Sequence, residues 1–277
     1  MKTSPLDLDR LNKAIRSNSA YFESPDNHNV VNLDAYRRRR NALASSAIAL
    51  AHRREAEHGP DDLDSYLYQL IGETEPFYNA QLDLDTFREQ TEHMNWHDVP
   101  EHEKELFNHN RKIVTTYNDT VHEIIELGAA KFNFDELVNF MTDAHVSAGG
   151  GDSADHFYQM AHSTVVGMRT EVSVGRLLRH NGIDYTLGSR EQDIRGGDIF
   201  IAGIPLDLKT TEPSVTKEKR KAKQRHRDPK RIIWAGIHEE DYRGELVLPH
   251  DKYDEVSSRL MPQIRSAIGA DALRRAS

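Results

Sequence analysis

The sequence predicts an α/β protein: a mixed central β-sheet flanked by helices over residues 149–277, preceded by an all-helical module over 31–148. Three observations carry that reading. Apolar residues recur at helical spacing through much of the first half. The period switches to strict alternation between Asp198 and Lys209, and the run Ile232 to Ile237 is apolar enough for a strand buried on both faces. A chain of 277 residues can bury one large core or two domains, and Gly149-Gly150-Gly151 marks the expected boundary.

In chain order, residues 1–30 mix Ser, Asn, Asp and two prolines with little periodicity and are expected to be mobile. Val31 to His58 reads as a helix with Leu43, Ala47, Leu50 and Ala51 on one stripe and the basic run Arg37 to Arg40 before them. Gly59-Pro60 ends it, and Asp61 to Gly72 reads as a short second helix followed by a linker through Pro76. Pro100 to Gly128 is the strongest helix of this half, its stripe running from Leu106 and Phe107 through Tyr117 and Val121 to Ile125. Asp135 to His145 is a further amphipathic helix. His93, His97, His102 and His109 near Trp96 are read as surface histidines, because Asp98 and Pro100 put a turn among them and no thiol completes a zinc set.

After the glycine run, Asp152 or Ser153 can cap a long helix ending at Asn181-Gly182. Its inner stripe runs from Phe157 through Ala161, Val165 and Met168 to Leu178, with Glu171 where the period calls for an apolar residue. A carboxylate on a core face needs a cation or hydrogen-bond partner. Ile183 to Leu187 reads as a strand, and Gly188 to Gly197 as a polar loop whose Arg190 and Arg195 can reach phosphate. Gly244 to Pro249 reads as a last short strand, and Tyr253 to Ala276 as a closing helical region kinked or broken at Pro262.

The central stretch is a hairpin turning at Ala202-Gly203. With an even loop, Ile201 faces Ile204, Phe200 faces Pro205, Ile199 faces Leu206 and Asp198 faces Asp207. Ile199, Ile201, Ile204, Leu206 and Leu208 then share one face, and Asp198, Asp207 and Lys209 the other. A three-residue loop would mix the faces, so the apolar pattern favours the register that pairs the acids. Two opposed carboxylates repel unless a cation stands between them, and hard oxygen ligands suit Mg²⁺ or Mn²⁺.

Asp198 and Asp207-Leu208-Lys209, with Glu171 on the preceding helix, make residues 156–250 resemble the PD-(D/E)XK nuclease superfamily, the restriction-endonuclease-like fold. The order of elements is also similar to that of archaeal junction resolvases. Gly197 stands where the family has Pro, a position expected to tolerate change because it supplies no ligand. The resemblance implies a Mg²⁺-dependent endonuclease, with Mn²⁺ able to substitute, acting on DNA phosphodiesters. Glu171, Asp198 and Asp207 would serve the metal, and Lys209 would orient or activate water and stabilise charge on the phosphate. The alternative reading is a DNA-binding or assembly protein that keeps the fold without cleaving.

The net charge of −9 excludes a globally basic nucleic-acid coat, so contact with DNA must come from a local patch. Lys217 to Arg231 is such a patch, with nine Lys/Arg against Glu218 and Asp228. Lys217, Lys219, Arg220, Lys223 and Arg227 are the candidate phosphate contacts, together with Arg190 and Arg195. Ala222 is its only apolar residue, so the segment is expected to be exposed and mobile in the free protein. The absence of cysteine removes disulfides and thiolate metal sites. With no spanning segment or signal-peptide core, a soluble protein of the cytoplasm or nucleoid is expected, with no membrane partner and a homodimer left open.

Overall fold

The computed structural model describes residues 33–188, 197–224 and 228–269. Two compact units divide them: residues up to 131 with 136–162, and residues 132–135 with those from 163 onward. The division falls inside a helix after His162, beyond the glycine run at 149–151, so the first turns of that helix belong to the helical unit.

The helical unit contains α1 (Leu33–His58), α2 (Leu63–Thr91), α3 (Glu101–Gly128), most of α4 (Phe134–Ser147) and the start of α5 (Ala154–His180). Leu43, Ala47 and Ala51 of α1 are buried, as are Tyr117, Val121, Ile124 and Ile125 of α3, which matches the stripes read from periodicity. Leu106 is 54% exposed, so the α3 stripe begins later than expected. The linker expected between Gly72 and Pro76 does not exist: α2 runs through both residues. A Cβ on Gly72 would stand 2.6 Å from Ile48 side-chain atoms, so glycine is required for close contact of α1 with α2, not for a break. Packing of Leu67, Leu70, Phe77, Ala80 and Leu84 overrides the helix-breaking propensity of Gly and Pro. Phe77 stacks on Tyr117 with centroids 4.1 Å apart.

Asp62 starts α2. Its carboxylate accepts the Ser65 amide at 3.1 Å and two hydrogen bonds from the Arg54 guanidinium, at 2.9 and 3.0 Å. His93, His97, His102 and His109 are exposed.

The second unit is built on a four-stranded sheet in the order β1 (Thr186–Leu187), β2 (Ile199–Ile201), β3 (Ile204–Lys209), β4 (Ile232–Trp234). β1, β2 and β3 are antiparallel neighbours, while β4 is parallel to β3. This is a mixed sheet with helices on both faces, the α/β class expected. β1 is shorter than the Ile183 to Leu187 strand read from sequence, and β4 stops at Trp234. The last strand expected at Gly244 to Pro249 is replaced by a single bridge between Asn133 and Glu245, with Leu246, Val247 and Leu248 buried outside any strand. Burial and not ladder pairing explains their apolar character.

One sheet face carries Ile199, Ile201, Leu206 and Leu208. They pack with Val174, Leu177 and Leu178 of α5 and with Val256, Leu260, Ile264 and Ile268 of α8 (Tyr253–Ile268). Pro262 lies inside α8 without ending it, and the helix stops at Gly269, before the expected end. The opposite face carries Ile232, on which Val215 and Ala222 of α6 (Glu212–Gln224) dock, with Trp234 beside them. α6 is therefore seated on the sheet, contrary to the expectation of an undocked basic segment: two small apolar residues seven apart suffice for one contact line. The four-residue α7 (Glu239–Tyr242) follows β4. No described helix is long and apolar enough to cross a membrane.

Candidate active site

The hairpin positions the candidate site. Its ladder pairs Ile199 with Leu206, Phe200 with Pro205 and Ile201 with Ile204, the register that alternation required. Ala202 and Gly203 are both left-handed, with φ of 50° and 75°, which is the two-residue turn whose twist matches the strands.

The ladder ends at Ile199, and Asp198 finishes the strand with its side chain. Its amide donates to the Leu206 carbonyl at 2.9 Å, and its Oδ2 accepts the Leu208 amide at 2.6 Å. The carboxylate thus satisfies a β3 donor beyond the end of β2, a structural task that alternation alone does not reveal. Gly197 is not a tolerant position: a Cβ there would stand 2.9 Å from both the Phe200 ring and the Pro205 ring. Its lack of a side chain lets the chain pass these two rings on its way into the hairpin.

Asp207 and Lys209 lie two residues apart on β3, on the α6 face, as their partners Ile232 and Trp234 show. Asp207 is 6% exposed, and Lys209 donates to its Oδ1 in a short contact. Burial works against the Lys209 ammonium, but the charges of Asp198 and Asp207, the hydrogen bond to Asp207, and the charge of Glu218 on α6 outweigh it. The amine is raised above its ordinary value. It is a cation at neutral pH, so it can stabilise anionic charge but cannot take a proton from water.

Glu171 is half-buried on α5. The neighbouring turns of α5 pack through Val174, Leu177 and Leu178 against the face opposite Asp207 and Lys209, so the helix that carries Glu171 serves the other side of the sheet. Accordingly, among the described residues no three His, Asp or Glu side chains form a group able to hold a metal ion. Two carboxylates with water and substrate phosphate oxygens are a sufficient protein contribution for Mg²⁺, whereas a three-carboxylate shell including Glu171 is not formed. The donor chemistry of Asp198 and Asp207 fits a hard divalent cation, in exchange for the contacts these oxygens make with Lys209 and Leu208.

Of the candidate phosphate contacts, Arg190, Arg195 and Arg227 lie outside the described residues. Lys217 and Arg220 are exposed on α6, Lys219 is half-buried, and Lys223 belongs to the same helix.

Arg169, two residues before Glu171, is not singled out by the sequence, yet it has the largest fully buried side chain among the described residues. Periodicity places it beside the expected stripe, and nothing local indicates that the Phe134 and Tyr242 rings lie against its guanidinium, at 4.2 and 4.0 Å. Comparison with protein-family models, curated proteins and solved structures gives no match to this chain.

Proposed function

We propose that the second unit is a metal-dependent endodeoxyribonuclease of the PD-(D/E)XK type, with Asp198, Asp207 and Lys209 as its site. The observation that carries this reading is the pair of aspartates gathered around one charged lysine at the end of a hairpin in a mixed sheet. Asp198 and Asp207 would hold Mg²⁺ or Mn²⁺, which when bound supplies Lewis-acid polarisation of the phosphate and a more acidic water. Lys209 contributes a fixed positive charge for the phosphate as negative charge builds on its oxygens. Glu171 takes a supporting part at most, since α5 packs on the other face. The exposed Lys217 and Arg220 of α6, with Lys219 beside them, lie close after β3 in sequence and would follow the DNA backbone towards the site.

A second reading, a DNA-binding protein that keeps this fold without cleaving, is favoured by one feature: Asp207 Oδ1 and Asp198 Oδ2 already accept hydrogen bonds from Lys209 and the Leu208 amide. Incubating the purified protein with supercoiled, linear, single-stranded and branched DNA, with and without Mg²⁺, separates the two. Metal-dependent nicking or cutting that Asp207→Asn removes supports the nuclease. Binding without cutting under every condition supports the second reading.

A further inference from the structure

β3 and β4 are parallel, so their carboxyl ends open on the same side of the sheet, where ligands of open α/β sheets are accommodated. A cavity of about 330 Å³ lies there, lined by Val166, Arg169, Thr210, Thr211, Trp234 and Glu239 among others. Arg169 contributes to that lining from α5. The Arg169 side chain is 1% exposed, and Nη2 donates to Glu239 in a short contact, while Nε and Nη1 are buried without a hydrogen-bond partner. A buried guanidinium N–H without an acceptor keeps the full desolvation penalty of that donor. With two aromatic rings against it and donors left over beyond the one given to Glu239, this cation can take a further acceptor once Glu239 moves away.

The rest of the lining indicates which acceptor. Thr211 caps α6, its hydroxyl accepting the Ser214 amide, so the positive end of a thirteen-residue helix adjoins the cavity, with the acid Glu212 of its first turn also in the lining. Glu239 is 68% exposed and hangs from the four-residue α7 while its carboxylate reaches the buried arginine. An acid placed so loosely on a cation held so rigidly occupies the position of a ligand anion.

We propose that this cavity binds a phosphomonoester, whose phosphate takes the place of the Glu239 carboxylate on Arg169 near the α6 terminus. The organic remainder lies against Val166, Ile237 and Trp234. The volume exceeds what a bare phosphate needs and falls in the range of small-ligand sites. The proposal does not depend on the nuclease reading, because binding needs neither divalent metal nor DNA.

Thermal-shift titrations of the full chain test it, using inorganic phosphate and a 5′-mononucleotide against chloride at matched ionic strength in a metal-free buffer. A saturable rise in Tm with both phosphates, larger for the mononucleotide at equal concentration, is expected. Glu239→Gln removes the competing carboxylate from an exposed position and should tighten phosphate binding on the order of tenfold. Arg169→Gln should abolish the shift. Because that variant removes a fully buried side chain and can fail to fold, the decisive arm is Glu239→Gln. Unchanged or weaker phosphate binding in it, or a wild-type response that chloride reproduces, overturns the proposal.

Discussion

Lys209 donates a hydrogen bond to Asp207, its neighbour two residues back on the same strand face, and the charge of Asp198 acts on the same amine. The repulsion expected between the two aspartates is therefore offset inside the protein. Removing the lysine by Lys209→Ala should lower stability by about 1–3 kcal/mol in metal-free buffer, since a buried carboxylate loses its charged partner. Added Mg²⁺ should recover more of the melting temperature in this variant than in wild type while cleavage stays strongly reduced. Normal turnover at saturating Mg²⁺ would remove Lys209 from the proposed site. The sign of pH dependence follows from the raised amine: its contribution is complete below the ordinary lysine value and fades only as pH rises past it, so no loss from this pair is expected between pH 6 and about 9.

Asp207→Asn tests the acid. It removes a ligand charge, so Mg²⁺-dependent cleavage should be abolished. Considered alone, two repelling carboxylates predict that the variant is more stable without metal. With Lys209 bonded to Asp207, the opposite is expected: a melting temperature below that of wild type in chelator, measured by calorimetry.

Changing Lys219, Arg220, Lys223 and Arg227 together to Gln tests α6 as a DNA contact. Each phosphate contact adds about −0.9 to the slope of log K against log salt, so the slope should flatten by roughly two or more units. Val215 and Ala222 seat the helix, and the substitutions spare both, so circular dichroism should be unchanged. An unchanged slope would redirect attention to Arg37 through Arg40 and the loop containing Arg190.

Gly72→Ala sets propensity against packing. Alanine gains about 1 kcal/mol of intrinsic helix preference over glycine. The new Cβ would lie 2.6 Å from Ile48 and 3.1 Å from the Ala44 carbonyl oxygen, and overpacking of this kind costs about 1–3 kcal/mol. Net destabilisation in urea melts is expected; a more stable variant would show that α1 and α2 are farther apart than described.

Asp62 gives an acid limb to the stability of the helical unit. Burial pushes its carboxyl up, but the Arg54 hydrogen bonds and charge, with the Ser65 amide, outweigh that and lower it below its ordinary value of 3.8. A lowered carboxyl contributes stability that is complete above the unfolded value and is lost as pH falls through the folded one. Asp62→Asn should therefore flatten the fall in stability below about pH 4, read from urea midpoints across a pH series.

What the sequence by itself determined is local and periodic. Alternation from Asp198 to Lys209 set the register, because a one-residue slip would turn Ile199, Ile201, Leu206 and Leu208 to the wrong face. The 3.6 spacing of Tyr117, Val121, Ile124 and Ile125 located their helix for the same reason. Tertiary structure alone decided the rest. Gly72 and Pro76 read as a break until Ile48 is seen to need the space of the missing side chain. Glu171, Asp198 and Asp207 read as one shell in the sequence, and whether three such carboxylates come together depends on how α5 meets the sheet; among the described residues no such group of three is found. Arg169 carries no signal in the sequence, and only the rings of Phe134 and Tyr242 against its guanidinium, with Phe134 and Tyr242 distant in the chain, mark it out. Such contacts are set by which faces meet when the apolar surfaces combine, and no single stretch of residues encodes that choice.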